Sequence, residues 1–222
     1  KEFGLKVKIV IPNTQSTEKK QTLKSLGAEL IEVDAVPYSN PNNYIKQSKK
    51  IAEDLKKKDN NGVIWANQFD NIVNAEAHIQ TTAEEIWNQT SGEIDGFVCS
   101  VGTGGTLAGV SVGLKRKKNN IKIALSDPMG SSLYSYIKNN ELKSEGSSIT
   151  EGIGTGRITK NFEKALIDEA FQTSDNEALK IVYDLVEDQK TILCGSSSIN
   201  IAGAIKLAKK MGPGHNIVTI LC

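Results

Sequence analysis

The chain has 222 residues, of which 38% are hydrophobic and 24% are charged, a composition typical of a globular protein with a buried core. The 27 lysines and arginines nearly balance the 26 aspartates and glutamates, so no overall field would attract nucleic acid or an anionic membrane surface. No apolar run is long enough to cross a bilayer, and two histidines are too few for a histidine-rich metal site. We therefore expect no metal, no nucleic-acid partner and no membrane-spanning segment.

The cysteines are few and widely spaced. Cys99, Cys194 and Cys222 form no CxxC pair, so their spacing predicts neither a disulfide framework nor a zinc site. Reduced cysteines are typical of the cytoplasm and of organelle matrices. We expect a cytoplasmic or mitochondrial protein, and any targeting segment would lie outside this sequence.

Short apolar runs alternate with amphipathic helical stretches along the first third of the chain. The pattern predicts strands at residues 6–11, 28–33 and 62–65 and helices at residues 16–26 and 43–57. Ser16 or Thr17 would cap the first helix, and Gly27 would lie just past its end. A polar loop at residues 66–74 then separates two groups of strands. We expect residues 1–72 to be part of a smaller N-terminal α/β domain and residues 73–222 to form a larger one.

The same rhythm continues to the end of the chain. Strands are predicted at residues 96–99, 121–125, 170–172, 191–194 and 216–221. Helices are predicted at residues 75–89, 106–117, 132–139 and 175–187, and from a serine-rich turn at 196–198 to about residue 211. This alternation predicts an α/β protein with two open, mostly parallel twisted sheets covered by helices.

The stretch SVGTGGTLAG, residues 100–109, places three glycines and two threonines between a predicted strand and a predicted helix. Glycines let backbone N–H groups converge, and the start of a helix adds positive potential, so the stretch can hold an anion. Leu107 occupies the position of the third glycine in the dinucleotide motif GxGxxG, and no lysine completes a P-loop. A small phosphate ester is the ligand that remains, and the alternative is a tight turn without a ligand.

This loop resembles the phosphate-binding loop of the fold-type II pyridoxal-phosphate enzymes, which share the fold of the tryptophan synthase β subunit. It is most similar to the cysteine synthase (O-acetylserine sulfhydrylase) group and its relative cystathionine β-synthase. The resemblance extends upstream through NQFDNIVNAEAHIQTTAEEIW and downstream through SDPMGSSLYSYI, SSITEGIGTGRIT, GSSSIN and GPGHNIVTILC. These segments occur in the family's order and cover essentially the whole chain.

The resemblance implies roles for eight residues. The implied phosphate ligands are Gly102, Thr103, Gly104 and Thr106, and Gly105 is implied to allow the close approach of the phosphate. Gln68 matches a glutamine that helps to hold the carboxylate of the amino-acid substrate, although it could instead fix its own loop. Gly152 and Gly154 match a loop near the closing substrate site, and a plain flexible loop is the alternative.

The resemblance also implies that parts of the catalytic machinery lie outside the sequence. The Schiff-base lysine and a carboxylate-binding loop are expected upstream of Lys1, and the partner of the pyridine nitrogen is expected beyond Cys222. We therefore expect an interior fragment of a longer enzyme, with no catalytic residue of its own and no activity by itself. One departure is Ser198, which stands where the family usually has glycine and would be strained if the turn requires a positive φ.

The function that the resemblance implies is pyridoxal-phosphate-dependent β-replacement, with cysteine synthesis from O-acetylserine and sulfide as the leading reaction. The alternatives on the same scaffold are cystathionine β-synthase and cysteine desulfhydrase. A third possibility, of another class, is a non-catalytic binding protein that keeps the phosphate loop. The expected partners are a small amino-acid substrate and sulfide, and the family is usually homodimeric.

Overall fold

The computed structural model describes residues 4–59 and 62–222. The chain divides into two compact units, Lys1–Asn67 and Gln68–Cys222. The domain boundary that the sequence predicts, between residues 72 and 73, stays a prediction. In the described part of the chain, no helix combines the length and the apolar character that crossing a membrane requires.

The first unit contains two parallel strands and two helices. In chain order these are β1 (Lys8–Pro12), α1 (Thr17–Ser25), β2 (Glu29–Val33) and α2 (Tyr44–Lys56). The strands pair from Lys8 opposite Glu29 to Pro12 opposite Val33. Ser16 caps α1 by accepting a hydrogen bond from the Lys19 amide, and Gly27 takes a positive φ of 79° after the helix end. Both predicted helix-end signals are confirmed.

The second unit contains a four-stranded sheet and the remaining helices. In chain order its elements are α3 (Val73–Gln80), α4 (Thr82–Gln89), β3 (Gly96–Cys99), α5 (Gly105–Lys117), β4 (Lys122–Pro128), α6 (Leu133–Asn139), a short 3-10 helix (Phe162–Lys164), β5 (Glu169–Thr173), α7 (Asp175–Gln189), α8 (Gly195–Met211) and β6 (Ile217–Thr219). The strand order is β5-β4-β3-β6, and each adjacent pair is parallel. The predicted parallel α/β architecture is confirmed.

The core of the second unit is formed around the central strands. All four residues of β3 are buried, which explains why its sequence, GFVC, reads as a continuous apolar run. Helix α5 buries Leu107, Val110 and Leu114 against this sheet. A Cβ on Gly109 of α5 would overlap with the backbone oxygen of Ala75 in α3. The absence of that Cβ lets the two helices pack closely, and this fixes α3 beside the start of α5.

Two predicted strands are wrong. Residues 62–65 form no strand, and Ile64 is 86% exposed, so the apolar letters do not mark a buried position there. Residues 191–194 also form no strand. Lys190 ends α7 in the left-handed conformation with φ of 55°, and Cys194 already caps α8. Only residues 191–193 lie between these two caps, and they pair with no strand of the described chain.

The predicted helix at residues 75–89 is divided into α3 and α4. The division falls at Thr81, where ψ is −78° and the hydroxyl donates a hydrogen bond to the backbone oxygen of Ala77. A threonine hydroxyl that bonds back to the preceding turn competes with the regular helical pattern and bends the helix. The sequence periodicity continues through this bend, which is why it indicates one helix.

The serine-rich stretch is helical and does not form the predicted turn. Ser198 lies in the first turns of α8, is fully buried, and donates its hydroxyl to the backbone oxygen of Gly195 at 2.7 Å. It is not among the described residues that have a positive φ. The strain expected at Ser198 is therefore absent, because a helical backbone accommodates serine without cost from Cβ.

Candidate functional site

The glycine loop joins the carboxyl end of β3 to the start of α5. Gly104 caps the helix with a left-handed φ of 88°, and Gly105 is its first helical residue. The loop lies at the edge of the sheet where parallel α/β proteins bind their ligands. The structure therefore brings the five residues of the predicted phosphate site together as one continuous surface, from Gly102 to Thr106.

The loop offers several backbone N–H groups to an anion. Within residues 4–59 and 62–222, no hydrogen-bond acceptor is found for the amides of Gly102, Thr103, Gly104, Thr106 and Leu107. These groups lie at the start of α5, where the helix dipole adds positive potential. No residue from 100 to 109 carries a charged side chain. The donor set therefore fits a phosphate group that is bound by backbone amides and hydroxyls.

Contacts with neighbouring segments explain two of the glycines. A Cβ on Gly104 would come within 2.8 Å of the backbone nitrogen of Phe162, and a Cβ on Gly105 would overlap with the side-chain amide of Asn74. Both glycines are buried. They are required because protein atoms fill the space on their far side, so the loop is held rigidly between α3 and the 3-10 helix.

The segment at residues 152–156 lies beside the glycine loop. The backbone oxygen of Gly152 occupies the space that a Cβ on Gly102 would need, and the Gly154 amide donates to the backbone oxygen of Val101 at 2.8 Å. Gly152 and Gly154 both take a φ of +82°, which residues other than glycine rarely adopt. The structure thus places the two predicted glycines next to the glycine loop.

Gln68 also lies close to this loop, and its backbone is held by two amide side chains. Its backbone oxygen accepts hydrogen bonds from Nδ2 of Asn74 at 2.8 Å and from Nδ2 of Asn161 at 2.9 Å. Asn74 in addition donates to Oγ1 of Thr103 at 3.1 Å. The side chain of Gln68 is exposed. Sequence reasoning missed both asparagines, and no local pattern distinguishes them from solvated polar residues.

An ion pair links residues 68–70, which we call the Gln68 segment, to the region that follows residue 156. The Arg157 guanidinium donates to both carboxylate oxygens of Asp70, at 3.0 and 2.9 Å, and the Lys160 amide donates to the same carboxylate at 3.0 Å. Partial burial opposes ionisation of Asp70, but the hydrogen bonds from Arg157 and Lys160 outweigh it and lower its pKa. We call this arrangement the Asp70–Arg157 clamp.

A histidine lies behind the glycine loop. Nε2 of His78 is 3.2 Å from Oγ1 of Thr106, and Nδ1 is 2.8 Å from Oγ1 of Thr82. Burial lowers the pKa of His78, so the ring is neutral at physiological pH. A neutral ring has two tautomers, and the one protonated at Nε2 accepts from Thr82 and donates to Thr106. In that tautomer the Thr106 hydroxyl hydrogen is available to an anion.

Comparison with known proteins identifies the family of this chain. The model of a family described as pyridoxal-phosphate dependent enzyme matches residues 1–222. This chain belongs to that family. In pyridoxal-phosphate dependent enzymes the cofactor is a monophosphate ester, which agrees with the uncharged donor set of the loop.

Individual relatives of this chain include cysteine synthase 1 of Neurospora crassa, which is 45% identical over 99% of the chain and 58% of its own length. The chain thus spans little more than half of the length of that relative.

Two solved structures are similar to this chain. O-acetylserine sulfhydrylase isoform 3 of Entamoeba histolytica has a TM-score of 0.81 and 34% identity, covering 99% of this chain and 62% of that one. The O-acetylserine-dependent cystathionine β-synthase of Helicobacter pylori has a TM-score of 0.82 and 29% identity, covering 99% and 67%.

A buried carboxylate lies near the 152–156 segment. Asp127, at the end of β4, is fully buried and accepts a hydrogen bond from the Tyr134 amide at 2.8 Å, while its Oδ1 has no partner among the described residues. Burial raises its pKa from 3.8 to about 6, and hydrogen bonds only partly offset this. Nearby, Ser131 bonds to both backbone groups of Thr155, so this region supports the glycine segment.

Replacement of Asp127 by asparagine is expected to change the pH dependence of stability. The folded-state pKa of about 6 lies above the unfolded value, so the stability that the protonated carboxyl contributes is complete below about pH 4 and lost as the pH rises through 6. The free energy of unfolding of Asp127→Asn should therefore rise by up to about 3 kcal/mol relative to that of the wild type as the pH increases from 4 to 7. Urea unfolding at several pH values measures this difference, and parallel profiles for the two proteins would contradict it.

The thiol of Cys194 lies at the start of α8. It is exposed, and Sγ is 3.0 Å from Oγ of Ser196 and 3.3 Å from Oγ of Ser197. Partial burial raises its pKa, but hydrogen bonds from the hydroxyls and backbone amides of these two serines outweigh it and lower the pKa to about 7. Cys99 differs, because complete burial raises its pKa to about 12.

We expect the two thiols to react differently with iodoacetamide. Alkylation of Cys194 should reach half of its maximal rate near pH 7, in line with its pKa of about 7, because the thiolate is the nucleophile. Cys99 should stay unmodified in the native protein over the same pH range. Peptide mass spectrometry after timed alkylation measures each site separately, with Cys194→Ser as the control. A Cys194 midpoint above pH 8 would contradict the expectation.

Proposed function

We propose that the full-length protein is a pyridoxal-phosphate-dependent β-replacement enzyme that makes L-cysteine from O-acetylserine and sulfide. The 45% identity to a cysteine synthase over 99% of this chain supports the proposal. The observation that carries it is the glycine loop, where backbone amides that have no acceptor among the described residues converge at the start of α5. This loop would provide the phosphate site that such an enzyme requires.

The chain's own residues would bind and orient the reactants. The amides of Gly102, Thr103, Gly104 and Thr106 would donate to the cofactor phosphate, and Gly105 would keep the helix start close to it. When bound, the pyridoxal ring supplies an electron sink for negative charge that develops on the substrate Cα. The side-chain amide of Gln68 would donate to the substrate carboxylate. The segment that contains Gly152 and Gly154 would line the substrate side and exclude water.

Other functions on the same scaffold differ in the second substrate. The resemblance to an O-acetylserine-dependent cystathionine β-synthase favours homocysteine as an alternative to sulfide. A desulfhydrase would instead release sulfide from cysteine, and a non-catalytic binding protein would form no product. We therefore propose cysteine synthesis as the first of these functions, because the cysteine synthase relative matches the chain at higher identity.

The decisive experiment offers both acceptors to the full-length protein. Purified protein with pyridoxal phosphate and O-acetylserine is incubated with equal concentrations of sulfide and homocysteine, and mass spectrometry measures the products. Cysteine as the main product supports the proposal. Cystathionine as the main product overturns it in favour of the second function, and cofactor binding without either product supports the non-catalytic protein.

Assembly and location are also proposals. We propose a homodimer, from resemblance to the family, in the cytoplasm or the mitochondrion. The three cysteines of the chain are free thiols, which agrees with a reducing compartment. Sedimentation equilibrium of the full-length protein tests the dimer, and a monomer at micromolar concentration would overturn that proposal.

A further inference from the structure

The side-chain amide of Asn74 lies between the two segments that the proposed function assigns to phosphate and substrate. Its Nδ2 is 2.8 Å from the backbone oxygen of Gln68 and 3.1 Å from Oγ1 of Thr103. A carbonyl oxygen can only accept a hydrogen bond, so the atom that faces Gln68 must be the amide nitrogen. That nitrogen has two hydrogens, and each is used for one segment.

The hydroxyl oxygen of Thr103 accepts a second hydrogen bond, from the Gly105 amide at 3.3 Å. A hydroxyl has two lone pairs and one hydrogen. Because both lone pairs face N–H donors, the hydroxyl can act toward any further group only as a donor. In the described part of the chain, no acceptor takes that hydrogen. The hydroxyl is therefore prepared to donate to an anion in the loop.

We propose that Asn74 is a positioning residue that makes the Thr103 hydroxyl a dedicated donor to the cofactor phosphate and ties this donor to the Gln68 segment. The inference rests on the proposed function, because it assumes that the loop binds the phosphate of pyridoxal phosphate. Asn74 acts through Thr103 and does not touch the cofactor. Its amide packs against Gly105 and occupies the space that a Cβ at that position would need.

The chemistry of the amide is essential to this role. An aspartate at position 74 has nearly the same shape, but its carboxylate can only accept hydrogen bonds at neutral pH. The Thr103 hydroxyl would then donate to the carboxylate and turn away from the phosphate. The carboxylate would also repel the phosphate. In addition, it has no hydrogen to donate to the backbone oxygen of Gln68.

The test measures binding of 4′-deoxypyridoxine 5′-phosphate to the full-length protein after removal of its cofactor. This probe has no aldehyde, so its affinity reports the phosphate and ring contacts without a covalent bond to lysine. Calorimetry should show about tenfold weaker binding for Asn74→Ala and about a hundredfold weaker binding for Asn74→Asp. Thr103→Ser should bind like the wild type, and Thr103→Val should lose about tenfold.

Two further measurements separate positioning from a general structural effect. In a protein that already carries Thr103→Val, Asn74→Ala should cause little additional loss of probe affinity, because both changes remove the same donor. The KM for the amino-acid substrate should rise more in Asn74→Ala than in Thr103→Val, because only Asn74 also holds the Gln68 segment.

The outcomes distinguish the two proposals. If the wild type does not bind the probe, the proposed function fails and the inference fails with it. If the wild type binds but Asn74→Ala or Thr103→Val binds equally well, the inference alone is overturned. Circular dichroism monitors folding of each variant. Should the Asn74 variants not fold, the comparison of Thr103→Val with Thr103→Ser decides, since equal affinities would overturn the inference.

Discussion

Gly104→Ala should weaken binding of the cofactor phosphate by about a hundredfold, because displaced amides lose charge-assisted hydrogen bonds worth about 1.5–3 kcal/mol each. Gly104 has a φ of 88°, and its Cβ would come within 2.8 Å of the Phe162 backbone nitrogen. The left-handed conformation costs alanine about 1 kcal/mol. The contact with Phe162 involves backbone and cannot be relieved by a rotamer change, so the loop itself must move. Calorimetry with 4′-deoxypyridoxine 5′-phosphate measures the affinity.

A matched control separates backbone strain from displacement of the loop. Gly214 also has a positive φ, of 85°, but a Cβ there would meet nothing within 4 Å. Gly214→Ala should lower the free energy of unfolding by about 1 kcal/mol and leave cofactor affinity unchanged. If both variants lowered the affinity equally, the loop would not be the phosphate site.

Arg157→Gln should raise the KM for O-acetylserine by about tenfold or more. It should also lower the free energy of unfolding by about 2 kcal/mol, because it leaves the half-buried Asp70 carboxylate without its main partner. The clamp joins the Gln68 segment to the segment after residue 156 through two hydrogen bonds of 3.0 and 2.9 Å. Loss of the clamp should free the Gln68 segment and thereby disturb the substrate carboxylate site. Steady-state kinetics and urea unfolding measure the two effects.

The control for this prediction is an exposed ion pair on α7. Lys180 pairs with Asp184 at 2.7 Å, but both side chains are more than half exposed to solvent. Lys180→Gln should therefore change stability by less than about 0.5 kcal/mol and leave KM unchanged. Asp70→Asn should reproduce the effect of Arg157→Gln, and the double variant should be less impaired than the sum of the two. Additive effects would show that the two residues act independently.

The helices and buried strands of this chain could largely be predicted from the sequence because local signals and tertiary burial agree there. In α1, the Ser16 cap and Gly27 both mark the true ends. In β3, four buried residues leave no ambiguity about a central strand. The two strands predicted wrongly, at residues 62–65 and 191–194, are short apolar runs. Such runs become strands only where a neighbouring strand is available to pair with them, and the sequence does not show that.

The candidate site could be predicted from the sequence only where its residues are adjacent along the chain. The glycine loop is a continuous motif, so its residues are sufficient to indicate an anion site. The bonds from Asn74 to Thr103, from Asn161 to Gln68 and within the Asp70–Arg157 clamp instead connect residues that lie between 29 and 93 positions apart along the chain. Only the fold brings these groups together. The serine-rich stretch shows the reverse error, because family resemblance indicates a turn where this chain begins helix α8.

A crystal structure of the full-length protein with pyridoxal phosphate tests the central claim most directly, since it locates the cofactor phosphate. We expect the phosphate oxygens to lie about 3 Å from the backbone amides of Gly102 to Thr106 and from Oγ1 of Thr103, which is hydrogen-bonding distance. A phosphate bound by lysine or arginine side chains elsewhere, with the amides of the glycine loop facing only water, would contradict the account.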